Sequence, residues 1–220
     1  MKPAIVYPQA TQDVDVTVIH EVKPIANRGK RKKKATPEYL SEEEIRRLFA
    51  AIGKDVRSQA IFHVIYYRGL RASEIGELRL EDYRPALGRL FVRRLKGSRS
   101  GDYHVTESER VALNRWLRER GKNPGPLFPS RNGKPLSRWP IFELMRRYCA
   151  KAGIAAEKAH PHALKHSCGT NLSARETDIA VIQDHLGHVN IQNTMIYVQI
   201  ANKRRDRFAE SLAEGGWGKG

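Results

Sequence analysis

The 220-residue sequence is poor in cysteine, in acidic residues and in long apolar runs. Its two cysteines, Cys149 and Cys168, are too few for a disulfide framework, and we expect both to be buried thiols in a reducing cytoplasm. No apolar run approaches the ~20 residues of a membrane span, and the N-terminus lacks the apolar core of a signal peptide. The remaining composition, 40% hydrophobic and 29% charged residues, is typical of a soluble globular protein.

The shortage of acidic residues leaves a large positive charge. Lysine and arginine number 40 against 24 aspartates and glutamates, which gives a net charge of +16 and a pI near 10.1. A balance this basic indicates a polyanionic partner, and nucleic acid is the commonest one. An anionic membrane surface is the alternative, but no segment pairs an apolar face with a basic one.

Residues 1–35 differ in composition from the rest of the chain. Residues 23–34 contain seven cations and no acid. This stretch is either a solvated tail or a flexible arm that follows DNA phosphates, and we favour the arm. Its candidate DNA-binding residues are Lys30, Arg31, Lys32, Lys33 and Lys34.

The middle of the chain predicts helices joined by short loops. Ser41 and Glu44 form a capping-box pattern that opens a helix to about Gly53, and Thr106 and Glu109 repeat it. Apolar spacing predicts further helices near 56–68, from 72, near 139–152 and over 179–186. A basic, glycine-bounded turn over 96–101 predicts a hairpin. The expected class is therefore mainly α with a small antiparallel β-sheet, an α+β fold.

Polar side chains cluster between residues 160 and 168. His162 and Lys165 are three apart, so on a helix they share a face. His166 and Cys168 are expected to turn towards a neighbouring helix or the core. Histidines are dense here, but no ligand spacing typical of zinc is present, so we expect no metal site.

A second polar group follows the predicted helix over 179–186. Gly187 is a plausible left-handed cap that places His188 just beyond the helix end. Tyr197 comes nine residues later among Met195, Ile196 and Val198, which should hold its ring firmly. Two imidazoles, a cation and a phenol could together handle a phosphate and its protons.

These residues resemble the boxes of the tyrosine recombinase (phage integrase) family. The pattern His-x-Leu-Arg-His stands here as residues 162–166, Leu-Gly-His as 186–188, and the Thr-rich step to the tyrosine as 193–197. Upstream, residues 69–75 match the Gly-Leu-Arg-x-Ser-Glu box. Lys165 is a departure, because the family has its second arginine there. Each residue alone is more often structural, but the order and spacing of the boxes are specific together.

The resemblance implies roles for particular residues. Tyr197 would be the nucleophile that forms a 3′-phosphotyrosyl intermediate, and Arg71 and Lys165 would neutralise phosphate charge. His162 and His188 suit hydrogen bonding and proton handling. Lys96, on the hairpin, would be the general acid. Arg94 and Arg99 lie nearby and are further candidates for DNA contact.

The resemblance also implies the partners and the layout of the chain. The partner would be double-stranded DNA, bound by a homotetramer, and no cofactor is expected because the chemistry needs no external energy source. Residues 36–200 would be the catalytic domain and 201–220 a tail that contacts its own domain or a neighbouring protomer. Only about forty residues precede Ser41, which suggests either a short member of the family or a fragment.

The predicted function is site-specific integration, excision or inversion of DNA. Because Lys165 supplies a single point of charge and not a planar fork, a weakly cleaving accessory or regulatory DNA-binding protein is the alternative. A topoisomerase-like relaxing enzyme with the same tyrosine chemistry is more distant.

Overall fold

The computed structural model describes residues 37–95 and 97–200. This part of the chain contains eight α-helices and a three-stranded sheet, joined by loops and short 3₁₀ turns. The proposed arm residues Lys30 to Lys34, the tail over 201–220 and Lys96 lie outside it. The expected class, mainly helical with a small antiparallel sheet, is confirmed. The helices are α1 (Glu42–Ile52), α2 (Val56–Arg68), α3 (Ala72–Glu77), α4 (Glu107–Arg120), α5 (Arg138–Lys151), α6 (Pro161–Ala174), α7 (Ile179–Leu186) and α8 (Gln192–Ile200), and the strands are β1 (Tyr83–Arg84), β2 (Arg89–Val92) and β3 (Gly101–His104).

Helix α1 begins where the capping box predicts. The Glu44 amide donates to Ser41 Oγ at 3.2 Å, and the Ser41 amide donates to the Glu44 carboxylate at 2.8 Å. Two amides that would lack partners at the helix start are thus satisfied by this local exchange. The chain just before it is fixed to α6, because the Leu40 amide donates to Ser167 Oγ at 2.8 Å.

Helix α2 is the central element of the core. Its apolar face is fully buried, with Ile61, Val64 and Ile65 at 0% exposure, and it packs against α4 and α6. Arg68 in its last turn forms a buried, bidentate ion pair with Glu109 of α4, at 3.0 and 2.7 Å. The position of the α2 C-terminus is therefore fixed by packing and by charge.

The sheet is a hairpin with one short extra strand. β2 and β3 pair antiparallel in the register Leu90↔Tyr103 and Val92↔Gly101, which confirms the predicted hairpin. β1, which the sequence analysis did not predict, pairs with β2 over only two residues. Burial alternates along β2, with Leu90 and Val92 inside, so one face of the hairpin packs on the helices. In the described part of the chain, no helix has the length and apolar character to cross a membrane.

Candidate active site

The junction between α2 and α3 carries Arg71. Gly69 ends α2 in the left-handed conformation, with φ 56°, and a Cβ there would lie 2.3 Å from the Leu186 side chain. Arg71 follows as the extended N-cap of α3, with its side chain 25% exposed. Its Nη1 donates to Glu74 Oε1 at 2.8 Å and to Ser98 Oγ at 3.0 Å. The junction thus holds a guanidinium at the surface in a fixed orientation.

Glu74 is the buried acceptor of this region. Its fully buried carboxylate accepts hydrogen bonds from the backbone amides of Arg71, at 2.9 Å, and Leu95, at 3.3 Å. Burial opposes its ionisation, but the Arg71 amide and the charges of Arg94, Lys165 and Arg71 outweigh burial and lower the pKa of Glu74. Glu74 is therefore ionised, and the side chains of Arg71, Arg94 and Lys165 lie around it.

Arg94 lies inside the protein, which corrects its assignment as a DNA-binding residue. Its side chain is 0% exposed and donates to the carbonyl oxygens of Arg68 at 2.7 Å, Gly69 at 3.1 Å and His185 at 2.8 Å. It also pairs with Glu74 at 3.3 Å. These bonds join the hairpin, the end of α2 and the end of α7. Its position near Lys96 suggested contact with DNA, whereas carbonyl groups at two helix ends bind this guanidinium inside the protein.

Lys165 is also buried, with 3% of its surface exposed. Its Nζ donates to Gly69 O at 2.6 Å and to Leu186 O at 3.3 Å. Burial lowers the pKa of Lys165 to about 7; the nearby Arg94 charge adds to this, and Glu74 opposes it. The hydrogen bonds of Lys165 are to carbonyl oxygens, and it shares Glu74 with Arg71 and Arg94, so an incoming anion would favour its charged form.

His188 follows α7 through a left-handed glycine, as predicted. Gly187 has φ 67°, and a Cβ there would lie 2.9 Å from Arg99 O, so the close approach requires glycine. His188 is buried, its Nδ1 lies 3.0 Å from Thr194 Oγ1, and its ring is nearly parallel to that of Tyr197 at 6.3 Å. Burial, then the nearby cations, lowers the pKa of His188 to about 4, so the ring is neutral at pH 7.

The hairpin turn contacts both of these loops. Ser98 bonds Arg71, and the Arg99 amide donates to Gly187 O at 3.2 Å. The Arg99 side chain is exposed, as a DNA-contacting residue requires. Lys96 itself lies outside the described residues, but Leu95 and Ser98 on either side of it contact Glu74 and Arg71.

Tyr197 projects from α8 into the space beside α6. It is 1% exposed, and its hydroxyl lies 3.0 Å from His166 Nδ1. Its ring lies against Gly169 of α6, in a small apolar cluster with Cys168 and Leu186. Burial raises the pKa of Tyr197, so the phenol keeps its proton at neutral pH.

Gly169→Ala is expected to displace the Tyr197 ring. A Cβ at position 169 would lie 2.6 Å from two ring atoms and 2.7 Å from a third, closer than van der Waals contact allows. Alanine favours a helix by up to ~1 kcal/mol, but overpacking costs ~1–3 kcal/mol, so the net effect is destabilising. Thermal melting of the variant should shift downwards. An unchanged melting temperature would show that the ring has room to move.

His162 lies on the same helix as Lys165 but differs from it in exposure. Its side chain faces solvent, whereas Lys165 one turn on is buried. The protein around it still removes part of its water, and this desolvation, together with the charges of Lys165, His160 and Arg71, lowers the pKa of His162. Lys165 Nζ bonds the carbonyl oxygens of Gly69 and Leu186, which lie two residues before Arg71 and His188, so these candidate residues lie in one region of the protein.

Comparison with known proteins identifies the family. The sequence profile of the phage integrase family matches residues 38–204. The chain belongs to the phage integrase family. Among curated members, the type 1 fimbriae regulatory protein FimE of Escherichia coli K12 is 34% identical over 72% of this chain and 84% of FimE. The tyrosine recombinase XerA of Pyrococcus furiosus is 34% identical over 77% of this chain and 60% of XerA.

Solved structures agree with this assignment. A crystal structure of XerA recombinase superposes with a TM-score of 0.71 and 30% identity, covering 80% of this chain and 65% of that one. The chain thus spans less than two thirds of the length of XerA. The expectation of a tyrosine recombinase catalytic domain is confirmed, and site-specific recombinase function is confirmed at the level of the phage integrase family.

The structure brings together five of the predicted catalytic residues and adds others. Sequence reasoning treated Glu74 only as part of a motif and did not foresee that it collects the cations. It predicted that His166 would turn to a neighbouring helix, but not that this contact would be with the Tyr197 hydroxyl. The signal available was the spacing of His162 and His166, one helical turn apart.

Proposed function

We propose that this protein breaks and rejoins DNA at specific sites through a covalent 3′-phosphotyrosyl intermediate on Tyr197. The observation that carries the proposal is the buried Tyr197 phenol, whose ring lies 6.3 Å from that of His188 and packs on α6, the helix that carries Lys165. Arg71, Lys165 and Arg94 are three cations around one buried carboxylate, that of Glu74. This excess of positive charge suits a phosphodiester.

The step is a transesterification at phosphorus. A bond forms between the Tyr197 oxygen and phosphorus, the bond to the 5′ oxygen breaks, and the phenol proton leaves as the 5′ oxygen gains one. Arg71 and Lys165 stabilise charge on the non-bridging oxygens, and groups of this kind are commonly worth ~2.7–4 kcal/mol each. His162 and His188 hydrogen-bond to the phosphate, and Lys96 protonates the 5′ oxygen. The phosphotyrosine ester conserves the bond energy, so a returning 5′ hydroxyl rejoins the strand.

The partner we propose is double-stranded DNA, bound by residues 36–200 as catalytic domain together with the basic arm over 1–35. A homotetramer would exchange strands between two sites, with residues 201–220 contacting the same domain or a neighbour. We place the protein in the cytoplasm, because its DNA substrate is there and because Cys149 and Cys168 are free, buried thiols.

Deletion of residues 1–34 tests the proposed arm. Removing its cations is expected to weaken DNA binding and to flatten the dependence of the binding constant on salt, because fewer counterions are released. Fluorescence anisotropy across a salt series measures the slope. A deletion variant with the slope of the full chain would show that the arm does not follow the phosphates.

The proposed function is tested with supercoiled plasmid that carries the native DNA flanking the gene. Wild-type protein is incubated with it at low salt, denatured with detergent and examined for covalent adducts and for rearranged plasmid. Adduct with rearranged products supports a recombinase. Retarded DNA with no adduct supports the accessory protein, in which Lys165 leaves cleavage too weak to detect.

A further inference from the structure

The Tyr197 hydroxyl has a specific partner that the roles above do not use. His166 Nδ1 lies 3.0 Å from it, within hydrogen-bonding distance. His166 comes from α6, directly after Lys165, and its ring centroid lies 5.9 Å from that of Tyr197. The helix that supplies a phosphate-binding cation therefore also supplies the group in contact with the nucleophilic oxygen.

A buried phenol needs a route for its proton. Tyr197 is 1% exposed, and burial, together with the nearby Cys168, raises its pKa, while the charge of Arg71 acts weakly in the other direction. The phenol therefore does not ionise before it attacks. Its proton must move as the oxygen–phosphorus bond forms, to a group already in hydrogen-bond reach.

His166 is in the protonation state that such a transfer needs. Burial lowers its pKa to about 4, and the charges of His162, Lys165 and His160 act in the same direction. The ring is thus neutral at pH 7, and a neutral imidazole carries one nitrogen with a free lone pair. The solvent-exposed His162 ring lies on the same helix face, with its centroid 6.3 Å from that of His166.

The other imidazole beside the phenol is less suited to accept this proton. His188 Nδ1 lies at hydrogen-bonding distance from Thr194, and its ring is only 12° from parallel to the Tyr197 ring. That arrangement places His188 alongside the ring and not in line with the hydroxyl. Of these two histidines, His166 is the one at hydrogen-bonding distance from the reacting oxygen.

We infer that His166 is the catalytic base of the cleavage step, with Nδ1 taking the phenol proton as the Tyr197 oxygen bonds to phosphorus and the 5′ oxygen leaves. The inference rests on the proposed function. In the rejoining step the proton transfer runs in the opposite direction. The 5′ hydroxyl attacks phosphorus, and the departing Tyr197 oxygen recovers its proton from His166.

His166→Asn is the informative substitution, because asparagine can hydrogen-bond to the phenol but cannot take its proton. Single-turnover adduct formation on duplex DNA is expected to slow by roughly 10²-fold, the lower end for loss of a general base. His162→Asn, one turn away on the same face, removes a proposed phosphate ligand, so it should also slow adduct formation and serves as the comparison for the rescue experiments. Thermal melting and DNA affinity of both variants establish that each is folded and bound.

Two chemical changes separate a base from a structural contact. Replacing Tyr197 by 3,5-difluorotyrosine, a more acidic phenol, should restore much of the rate in His166→Asn and little in His162→Asn. DNA with sulfur in place of the scissile 5′ oxygen, whose thiolate leaves without a proton, should not rescue His166→Asn. Rescue by the sulfur substrate instead would assign His166 to the leaving group and overturn the inference.

The outcomes distinguish this inference from the proposed function. A His166→Asn variant that forms adduct at the wild-type rate would show that the contact only holds the ring, while the recombinase function stands. Wild-type protein that forms no adduct would remove both. If His166→Asn does not fold, wild-type protein on the sulfur substrate is measured in D₂O. A slower rate there supports transfer of the phenol proton during attack, and an unchanged rate contradicts it.

Discussion

Tyr197→Phe is expected to abolish covalent attachment to DNA while leaving DNA binding nearly unchanged. Phenylalanine removes the only oxygen of this side chain that can attack phosphorus. It keeps the ring that packs on Gly169 and stacks beside His188. Since the side chain is buried, DNA contacts on the surface remain, and loss of the hydroxyl's contact with His166 costs about 0.5–1.5 kcal/mol of stability. Detergent-resistant adduct and DNA mobility shift are measured on the same samples.

Tyr66→Phe is the matched control for this experiment. Tyr66 packs against the same small cluster as Tyr197, and its hydroxyl accepts a hydrogen bond from Asn171 at 2.8 Å. Its loss should leave the adduct at wild-type level, because that phenol has no proposed part in cleavage. An adduct that survives Tyr197→Phe would assign the nucleophile to another residue.

Local patterns were sufficient to predict most of the fold. The capping box at Ser41 and the glycine at 187 each act through their neighbours in sequence, so the helix boundaries that they predict are confirmed. The hairpin is confirmed for the same reason, because its turn residues and flanking strands are contiguous. β1 was missed, since a strand of two residues has no period of its own and exists only by pairing with β2.

The interior of the site depends on contacts that sequence does not display. Arg94 was predicted to contact DNA because it lies near Lys96, yet it is bound by carbonyls from residues 68, 69 and 185. His166 is 31 positions from Tyr197, so only the packing of α8 on α6 brings them together. Motif spacing indicates which residues share a cleft. The direction of each side chain within it depends on long-range packing and on unpaired backbone groups.

The exchange of arginine for Lys165 has a consequence for pH. Arginine stays charged at any pH that proteins tolerate, but burial lowers the pKa of Lys165 to about 7, and the charge of Arg94 contributes. The protonated lysine is therefore the major form below pH 7 and becomes scarce above it. At pH 8.5 only about 3% of free enzyme would carry the charge, by the ordinary titration relation. Bound phosphate favours the charged form, so the effect belongs to the free enzyme.

Adduct formation at subsaturating DNA is accordingly expected to fall by nearly tenfold per pH unit above about pH 7.5. The pKa values of His166 and His188, both about 4, place their titrations below this range. Lys165→Arg should remove this decline above pH 7.5, because the charge of arginine does not titrate in this range. A decline that persists unchanged in Lys165→Arg would reflect the titration of another group, such as Lys96.

Lys165→Met completes the test by removing the charge at nearly constant length. We expect adduct formation at pH 6.5 to fall by roughly 10²–10³-fold, the usual effect of losing one group that stabilises the transition state electrostatically. Methionine fits a buried position, but Leu186 O loses the hydrogen bond from Lys165 and Gly69 O keeps the one from Arg94, so stability should fall by about 1–3 kcal/mol. A folded Lys165→Met protein that cleaves at the wild-type rate would mean that the phosphate is neutralised without Lys165, with Arg71 as the cation at the surface. The lysine would then serve only to join the ends of α2 and α7.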